Sequence, residues 1–307
     1  MTVNLANVVS ITKAPLRRGA RHEDQTTMFH QRLGCSSISF RHQDLATALH
    51  TMRGLGFEEI DLGALPGVCD HVPYVLDAEA VEAVAAVVNS SGLRVRSVNG
   101  DVGDLNATLD AGAREARERH LGMLLTLAAK TGAKALVLPC GAIDHDPLRG
   151  LEEDIDAVAA QLIHASARAK EFGVELWTES LHYYRLCWNT ERAQLLADRL
   201  AGSDVGIVMD FSHIVASGGD PADFVDRFSA RIKHVHLRDA VPATANEPGN
   251  INLSIGNGQA DFAAGLSALG DVGYTGHFSL ELETRDVTHD ERPAAAAKAA
   301  SYISDLI

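Results

Sequence analysis

The sequence predicts an α/β protein folded as one (β/α)8 TIM barrel behind an N-terminal extension. Three observations predict it. From Leu33 onward, short apolar runs alternate with helical segments, and about eight such pairs follow one another. Several helices run into a glycine before the next apolar run, as a left-handed turn requires. The 307 residues hold a single barrel of about 250 residues with length to spare.

Residues 1–30 carry Lys13, Arg17, Arg18 and Arg21 without sustained periodicity and are read as the extension, which leaves 31–307 for the barrel domain. Met28 offers an alternative start. Strands are expected at 33–40, 58–62, 94–98, 135–139, 174–179, 205–210, 232–237 and 277–282. Helices are expected at 43–54, 78–91, 111–131, 150–171, 190–201, 221–230, 261–269 and 292–306. Gly54, Gly132 and Gly173 are the expected left-handed helix ends. The one long connection, 239–260, is rich in Gly and Asn and falls beside the seventh strand's end, so a substrate-covering role is expected of it. Gly256-Asn-Gly258 lacks the strand and helix that frame a phosphate loop, so no nucleotide is inferred.

Four of the apolar runs finish on a side chain that binds metals: Glu179, Asp210, His236 and Glu281. In a TIM barrel the C-terminal strand ends converge on the active site, so topology alone brings these four together. Alternation along each strand gives each an inward-facing neighbour two residues back, respectively Trp177, Val208, His234 and Ser279. Three carboxylates and one imidazole suit one divalent ion, Mn²⁺ foremost, with Mg²⁺, Co²⁺ and Zn²⁺ also compatible. His234 reads as a core histidine, and Glu175 and Glu283 lie too deep or too far along their strands to join the set.

Glu179 in Thr-Glu-Ser-Leu-His, Asp210 and His213 in Asp-Phe-Ser-His, His236 in His-Val-His-Leu-Arg-Asp, and Glu281 in His-Phe-Ser-Leu-Glu together resemble the xylose isomerase-like TIM-barrel superfamily, from about residue 33 to the end. The resemblance implies that Glu179, Asp210, His236 and Glu281 bind one metal. It also implies that the two glutamates move protons during isomerisation or epimerisation, and that His213 assists at the substrate. Proton abstraction next to a sugar carbonyl is the expected chemistry, with Glu179, Glu281 and His213 as its candidate groups. Two departures qualify this. Arg185 stands where ketohexose 3-epimerases carry a second glutamate, and Pro242 stands where they carry a substrate-binding arginine. The His-Leu-Arg-Asp segment resembles instead the branch of inosose dehydratases and 3-oxo-glycoside lyases, so β-elimination, by dehydration or deglycosylation, is the alternative. His182, Arg185, Arg238 and Asp239 are then candidate substrate contacts, with His145 at the rim.

The formal charge of -14 disfavours a nucleic-acid partner. An endonuclease IV-like reading also lacks the additional histidines it needs on strands two and three. Cys35, Cys69, Cys140 and Cys187 form no paired spacing, and no apolar run reaches the roughly 18 residues of a membrane span. A cytoplasmic enzyme acting on a small sugar or glycoside is the expectation. The extension could reach a second copy of the chain or a small partner subunit.

Overall fold

The computed structural model describes residues 29–307. Its elements run β1 (Leu33–Ser36), a 3-10 turn (Ser37–Phe40), α1 (Leu45–Leu55), β2 (Glu59–Ala64), α2 (Ala78–Ser91), β3 (Arg94–Gly100), α3 (Ala111–Thr131), β4 (Ala135–Pro139), α4 (Leu151–Glu171) and β5 (Glu175–Glu179). They continue with α5 (Thr190–Arg199), β6 (Gly206–Asp210), α6 (Phe211–Ala216), α7 (Pro221–Phe228), β7 (Ile232–Leu237), β8 (Asp239–Val241), β9 (Asn250–Leu253), α8 (Phe262–Asp271), β10 (His277–Leu280) and α9 (Arg292–Ser304). β1 to β7 and β10 close into an all-parallel barrel, and β8 and β9 form a separate antiparallel hairpin. Among the described residues no helix is long and apolar enough to cross a membrane.

Local chemistry sets the helix boundaries. Asp44, Asp77, Asp110, Asn189, Asp220 and Asp261 each accept a backbone N–H of the helix that follows, which satisfies donors the helix itself leaves free. α1 ends at Gly56 (φ 101°), not at Gly54, which stays inside the helix. Only a residue without Cβ enters that left-handed turn at no cost. The first strand is shorter than expected because its serines form side-chain bonds. Ser37 Oγ accepts the Gly63 N–H (2.9 Å) and Ser39 Oγ the Leu282 N–H (2.8 Å), drawing residues 37–40 out of the ladder and across the barrel mouth.

The core divides along the closed sheet. Outward-facing strand residues pack with the helices in one large cluster, while Ala135, Val137, Trp177 and Val208 form a small cluster inside the barrel. The Trp177 ring lies 5.6 Å from that of His234. The interior therefore contains Trp177, Val208 and His234, the phase that places Glu179, Asp210 and His236 two residues further up the same wall. Of the N-terminal extension, only residues 29 and 30 fall within the described residues. Both pack on the barrel: Phe29 lies 4.9 Å from Phe57, and the His30 N–H donates to Ser304 Oγ.

The long connection after β7 is folded rather than loose. The buried Asp239 carboxylate accepts N–H groups from Ala240, Gly256, Gly258 and Ala260 at 2.8–3.1 Å. A Cβ on Gly258 would stand 2.2 Å from that carboxylate, so the glycine serves this close approach. Ser254 and Asn257 bind Asp286, and the Gly249 N–H donates to Tyr183 Oη. Asp239→Ala is expected to raise amide hydrogen exchange at Gly256, Gly258 and Ala260 by at least tenfold, consistent with about 1–3 kcal/mol of lost hydrogen bonding, while the barrel strands stay protected. Unchanged exchange at those amides would show that the carboxylate does not hold the segment.

Candidate metal centre and its cavity

Glu179 and Asp210 close β5 and β6, His236 is the penultimate residue of β7, and Glu281 follows β10 directly. All four are buried, and each offers a ligand atom within 4.8 Å of the others. Strand register explains the convergence: Asp210 and Ser279 both lie beside His236 in the ladder, and Glu179 beside Val208. His236 Nδ1 lies 3.4 Å from Glu179 Oε1 and 3.5 Å from Glu281 Oε2. Among the described residues, neither nitrogen of His236 nor Glu179 Oε1 has a hydrogen-bond partner. Buried polar atoms are rarely left unpaired. An unpaired Nδ1 beside an unpaired carboxylate oxygen, in a set of three carboxylates and one imidazole, fits a divalent ion.

The neighbours hold this set in place. Asp210 caps α6, its Oδ1 accepting the Ser212 N–H (2.6 Å), the Ser212 hydroxyl (2.6 Å) and the His213 N–H (3.2 Å). Arg238 donates from Nε to Ser212 Oγ (3.0 Å), and its Nη2 lies 3.4 Å from Asp210 Oδ2 and 3.6 Å from Glu281 Oε2. Behind His236 stands Asp61, fully buried, with Oδ2 3.4 Å from His236 Nε2 and 2.8 Å from His234 Nε2. Ser97 donates to Asp61 Oδ1 (2.7 Å). A carboxylate on the far side of an imidazole fixes the ring and directs its other nitrogen at a metal. Asn99 Nδ2 lies 3.4 Å from Glu281 Oε1.

The cluster forms the floor of a cavity of ≈ 390 Å³. Of the four clustered residues, only Glu179 and Glu281 line it, so these are the two that a substrate reaches. His182, His213, Arg185 and Arg238 line it too, whereas His145 and Asp239 do not. His145 is drawn away by its bond to the Tyr183 carbonyl (2.5 Å) and by stacking on Trp188. Asp239 is turned to the four amides described above. Neither occupies the substrate-contacting place that the sequence suggests. Arg185 is already paired, with Asp101 Oδ2 (2.7 Å) and the Gly141 carbonyl (2.9 Å). The sequence reading missed Asp61, Asn99 and Asn252, and it set aside as a ligand Glu283, which lines the cavity without joining the cluster. Glu283 faces Arg41 and Arg238 at 3.6 and 3.7 Å.

Backbone donors fix two imidazoles. The Tyr183 N–H donates to His213 Nδ1 (3.1 Å) and the Tyr184 N–H to His182 Nδ1 (3.3 Å). His182 therefore carries its proton on Nε2, whereas His213 meets a donor on each nitrogen, its Nε2 lying 3.3 Å from Arg238 Nη2. The two ring centroids lie 3.9 Å apart with the planes tilted by 32°, and His213 Nε2 lies 3.8 Å from Glu179 Oε1. Burial pushes His213 down to about 3 against the pull of Glu179, and burial and the neighbouring His213 push His182 well below the usual range. Both are neutral at neutral pH. Burial pushes Glu281 up to about 8, with Glu179 and Asp210 adding to the rise and His236 and Arg238 opposing it. Burial also works to raise Glu179, but the facing His236, His182 and His213 outweigh it and keep this carboxylate ionised.

A family model described as xylose isomerase-like TIM barrel matches residues 49–306. Among proteins similar in sequence, an inosose dehydratase of Clostridium perfringens is 29% identical over 166 residues, covering 50% of this chain and 55% of that protein. The chain thus spans about half the length of the curated relatives it matches first. Among solved structures, the IolI protein with a bound zinc atom superposes with a TM-score of 0.72 at 19% identity, covering 90% of this chain and 99% of that one. The 3-keto-D-glucoside 4-epimerase of E. coli gives 0.68 at 18% identity, covering 88% and 99%. At such identities the superpositions speak to the fold alone.

Two outcomes follow from the geometry. Asp61→Ala is expected to weaken Mn²⁺ binding by about 10- to 100-fold in calorimetric titration, with the barrel intact by circular dichroism; unchanged affinity would remove Asp61 from the centre's support. The second concerns pH. Glu281 is raised from 4.5 to about 8 and so holds a proton that the unfolded chain has lost. Its contribution is complete below 4.5 and declines as pH rises to about 8, and the raised His236 acts in the same direction. The depressed histidines oppose this only below about pH 6.5. Metal-free protein should therefore lose thermal stability between about pH 6.5 and 8, and saturating Mn²⁺ should abolish that loss. A flat metal-free profile over that window would contradict the assignment.

Proposed function

The chain belongs to the family of xylose isomerase-like TIM barrels, and from that premise we propose that it is a divalent-metal-dependent enzyme that removes a proton next to the carbonyl of a small polyhydroxylated ketone and then expels a β-hydroxyl as water. The observation that carries this reading is the pairing, on one cavity wall, of an ionised carboxylate, Glu179, with a neutral imidazole donor, His182, a ring nitrogen of which lies within 4.8 Å of a Glu179 oxygen. A base and a hydrogen-bond donor side by side suit an elimination, which needs one group to take a proton and another to assist the departing oxygen. The dehydratase name of the Clostridium perfringens relative supports the same choice.

Glu179, Asp210, His236 and Glu281 are proposed as the ligands. Mn²⁺ is the proposed ion, since three carboxylates and one imidazole are a predominantly hard donor set. Bound there, it supplies Lewis-acid polarisation of the substrate carbonyl. Glu179 takes the proton from the neighbouring carbon and returns it to the departing β-oxygen, which leaves as water. His182, its Nδ1 occupied by the Tyr184 N–H, offers its Nε2–H to that oxygen, and His213 assists beside it, held between the Tyr183 N–H and Arg238 Nη2. Arg238 holds Asp210 in position and offsets the negative charge around Glu281. We propose a cytoplasmic enzyme with a small sugar, keto-cyclitol or glycoside as its substrate.

Epimerisation or isomerisation is the second reading. It is favoured by the presence of both Glu179 and Glu281 on the cavity wall, since two carboxylates can deliver and remove a proton at one carbon. Incubation of the Mn²⁺-loaded protein in D₂O with 2-keto-myo-inositol and with 3-keto-glucosides separates the two. Elimination gives an unsaturated product lighter by one water, whereas epimerisation gives an isomer of the substrate with one carbon-bound hydrogen replaced by deuterium. Glu179→Gln should lower either rate by at least about 10³-fold, with Mn²⁺ still measurable. Retention of activity in that variant would overturn the role of Glu179, and inertness of the wild type toward both ketone classes would overturn the reading itself.

A further inference from the structure

Three buried polar atoms on the cavity wall have no hydrogen-bond partner among the described residues: Glu179 Oε1, Arg238 Nη1 and Asn252 Oδ1. The first belongs to the metal-fitting cluster. The second lies 3.7 Å from Glu283 Oε1, so its charge is answered. Asn252 has no such account. Its side chain enters no hydrogen bond, although the residue is only 7% exposed and lines the same cavity as Glu179, His182 and Glu281.

The backbone that carries Asn252 is held on every side. Its N–H donates to Asn250 Oδ1 (2.9 Å) and its carbonyl accepts the Arg285 N–H (3.0 Å). Neighbouring Ile251 is buried with Tyr183, Val215, Ala216 and Ala240. β9 is therefore held by its backbone, and the residue that lines the cavity there carries a carboxamide no protein group satisfies. A carboxamide offers one acceptor and a pair of donors. A hydroxyl group, itself donor and acceptor, complements it.

We propose that Asn252 is the specificity-determining residue of this cavity, its carboxamide receiving one ring hydroxyl of a polyhydroxylated cyclic ketone. This rests on the proposed function for the ketone and on the hairpin alone for the hydroxyl. A site built to pair a substrate hydroxyl rejects the analogue that lacks it, because its own polar group is then left buried and unpaired. Wild-type protein should therefore single out one hydroxyl, and a variant without the carboxamide should be indifferent to that hydroxyl alone.

The test measures binding by calorimetry and turnover by product formation, for Mn²⁺-loaded wild type, Asn252→Ala and Asn252→Ser, on 2-keto-myo-inositol and its monodeoxy derivatives. The expected result is that one monodeoxy compound is disfavoured by about 10- to 100-fold in the wild type, and that this one penalty disappears in Asn252→Ala while the others persist. Asn252→Ser, which keeps a short hydroxyl on the hairpin, should retain part of it and decides the matter if the alanine variant fails to fold. Penalties that are identical in all three proteins, or scaled uniformly, would overturn the proposal. Binding with the expected pattern but no turnover would overturn the proposed function and leave Asn252 supported. Turnover with unchanged penalties would do the reverse, and no binding of any of these compounds by the wild type would overturn both.

Discussion

Three carboxylates cannot share a buried space less than 5 Å across without opposite charge nearby, and the upper end of this barrel is arranged around that requirement. Each pair of like charges at about 4 Å costs about 4 kcal/mol at the effective dielectric of a partly wet protein site. Arg238 answers one of the three negative charges, lying within 3.6 Å of both Asp210 and Glu281. The other ion pairs on the cavity wall close on themselves, Arg185 with Asp101 and Arg41 with Glu283. Two negative charges are left over. A divalent cation is the charge that balances them, and in the metal-free protein the proton held by Glu281 makes up part of the same deficit.

The barrel makes such an arrangement affordable. Parallel closure leaves no sheet edge and places the strand ends of β5, β6, β7 and β10 around one opening. Glu179, Asp210 and His236 therefore sit on a rigid ladder, and Glu281 immediately follows one. The inward faces of the strands carry both polar side chains (Asp61, His234, Ser97) and apolar ones (Ala135, Val137, Trp177, Val208), with Ser97 beside Ala135 and His234 beside Val208 in the ladder. The polar side chains let His236 be buried on both ring nitrogens without facing hydrocarbon on either.

Much of the fold and half of the site are legible in the sequence, for a common reason. Alternating apolar and helical runs reveal βα units, and Glu179, Asp210, His236 and Glu281 stand out because each interrupts an apolar run at its last residue. Asp61 does the same work from inside Glu-Ile-Asp-Leu, yet there it looks like the polar half of an ordinary amphipathic strand. Only closure of the barrel shows that its side chain faces inward. His234 was read correctly as a buried histidine, but its partner lies 173 residues away in the chain. Asp239 and His145 show the opposite error. Both are functional residue types near the mouth, and both are used by backbone groups: Asp239 by four amides of its own loop, His145 by a carbonyl. Spacing marks where a polar side chain falls, not which local donor or acceptor reaches it first.

The same distinction separates rigid from responsive parts of the site. His182 and His213 look like free bases at the level of residue type, but in each a backbone N–H occupies Nδ1, which leaves His182 a donor on Nε2, while His213 Nε2 faces Arg238 Nη2. Glu179 is the complementary case, an acceptor with no donor of its own. Backbone geometry at the turn after β5 thus assigns opposite proton roles to neighbouring side chains, and does so before any substrate arrives. Asn252 extends that logic to the opposing hairpin, where the backbone is satisfied and only the side chain is left open. What the fold leaves unpaired in the cavity, once every local bond is made, is the pattern a substrate must complete.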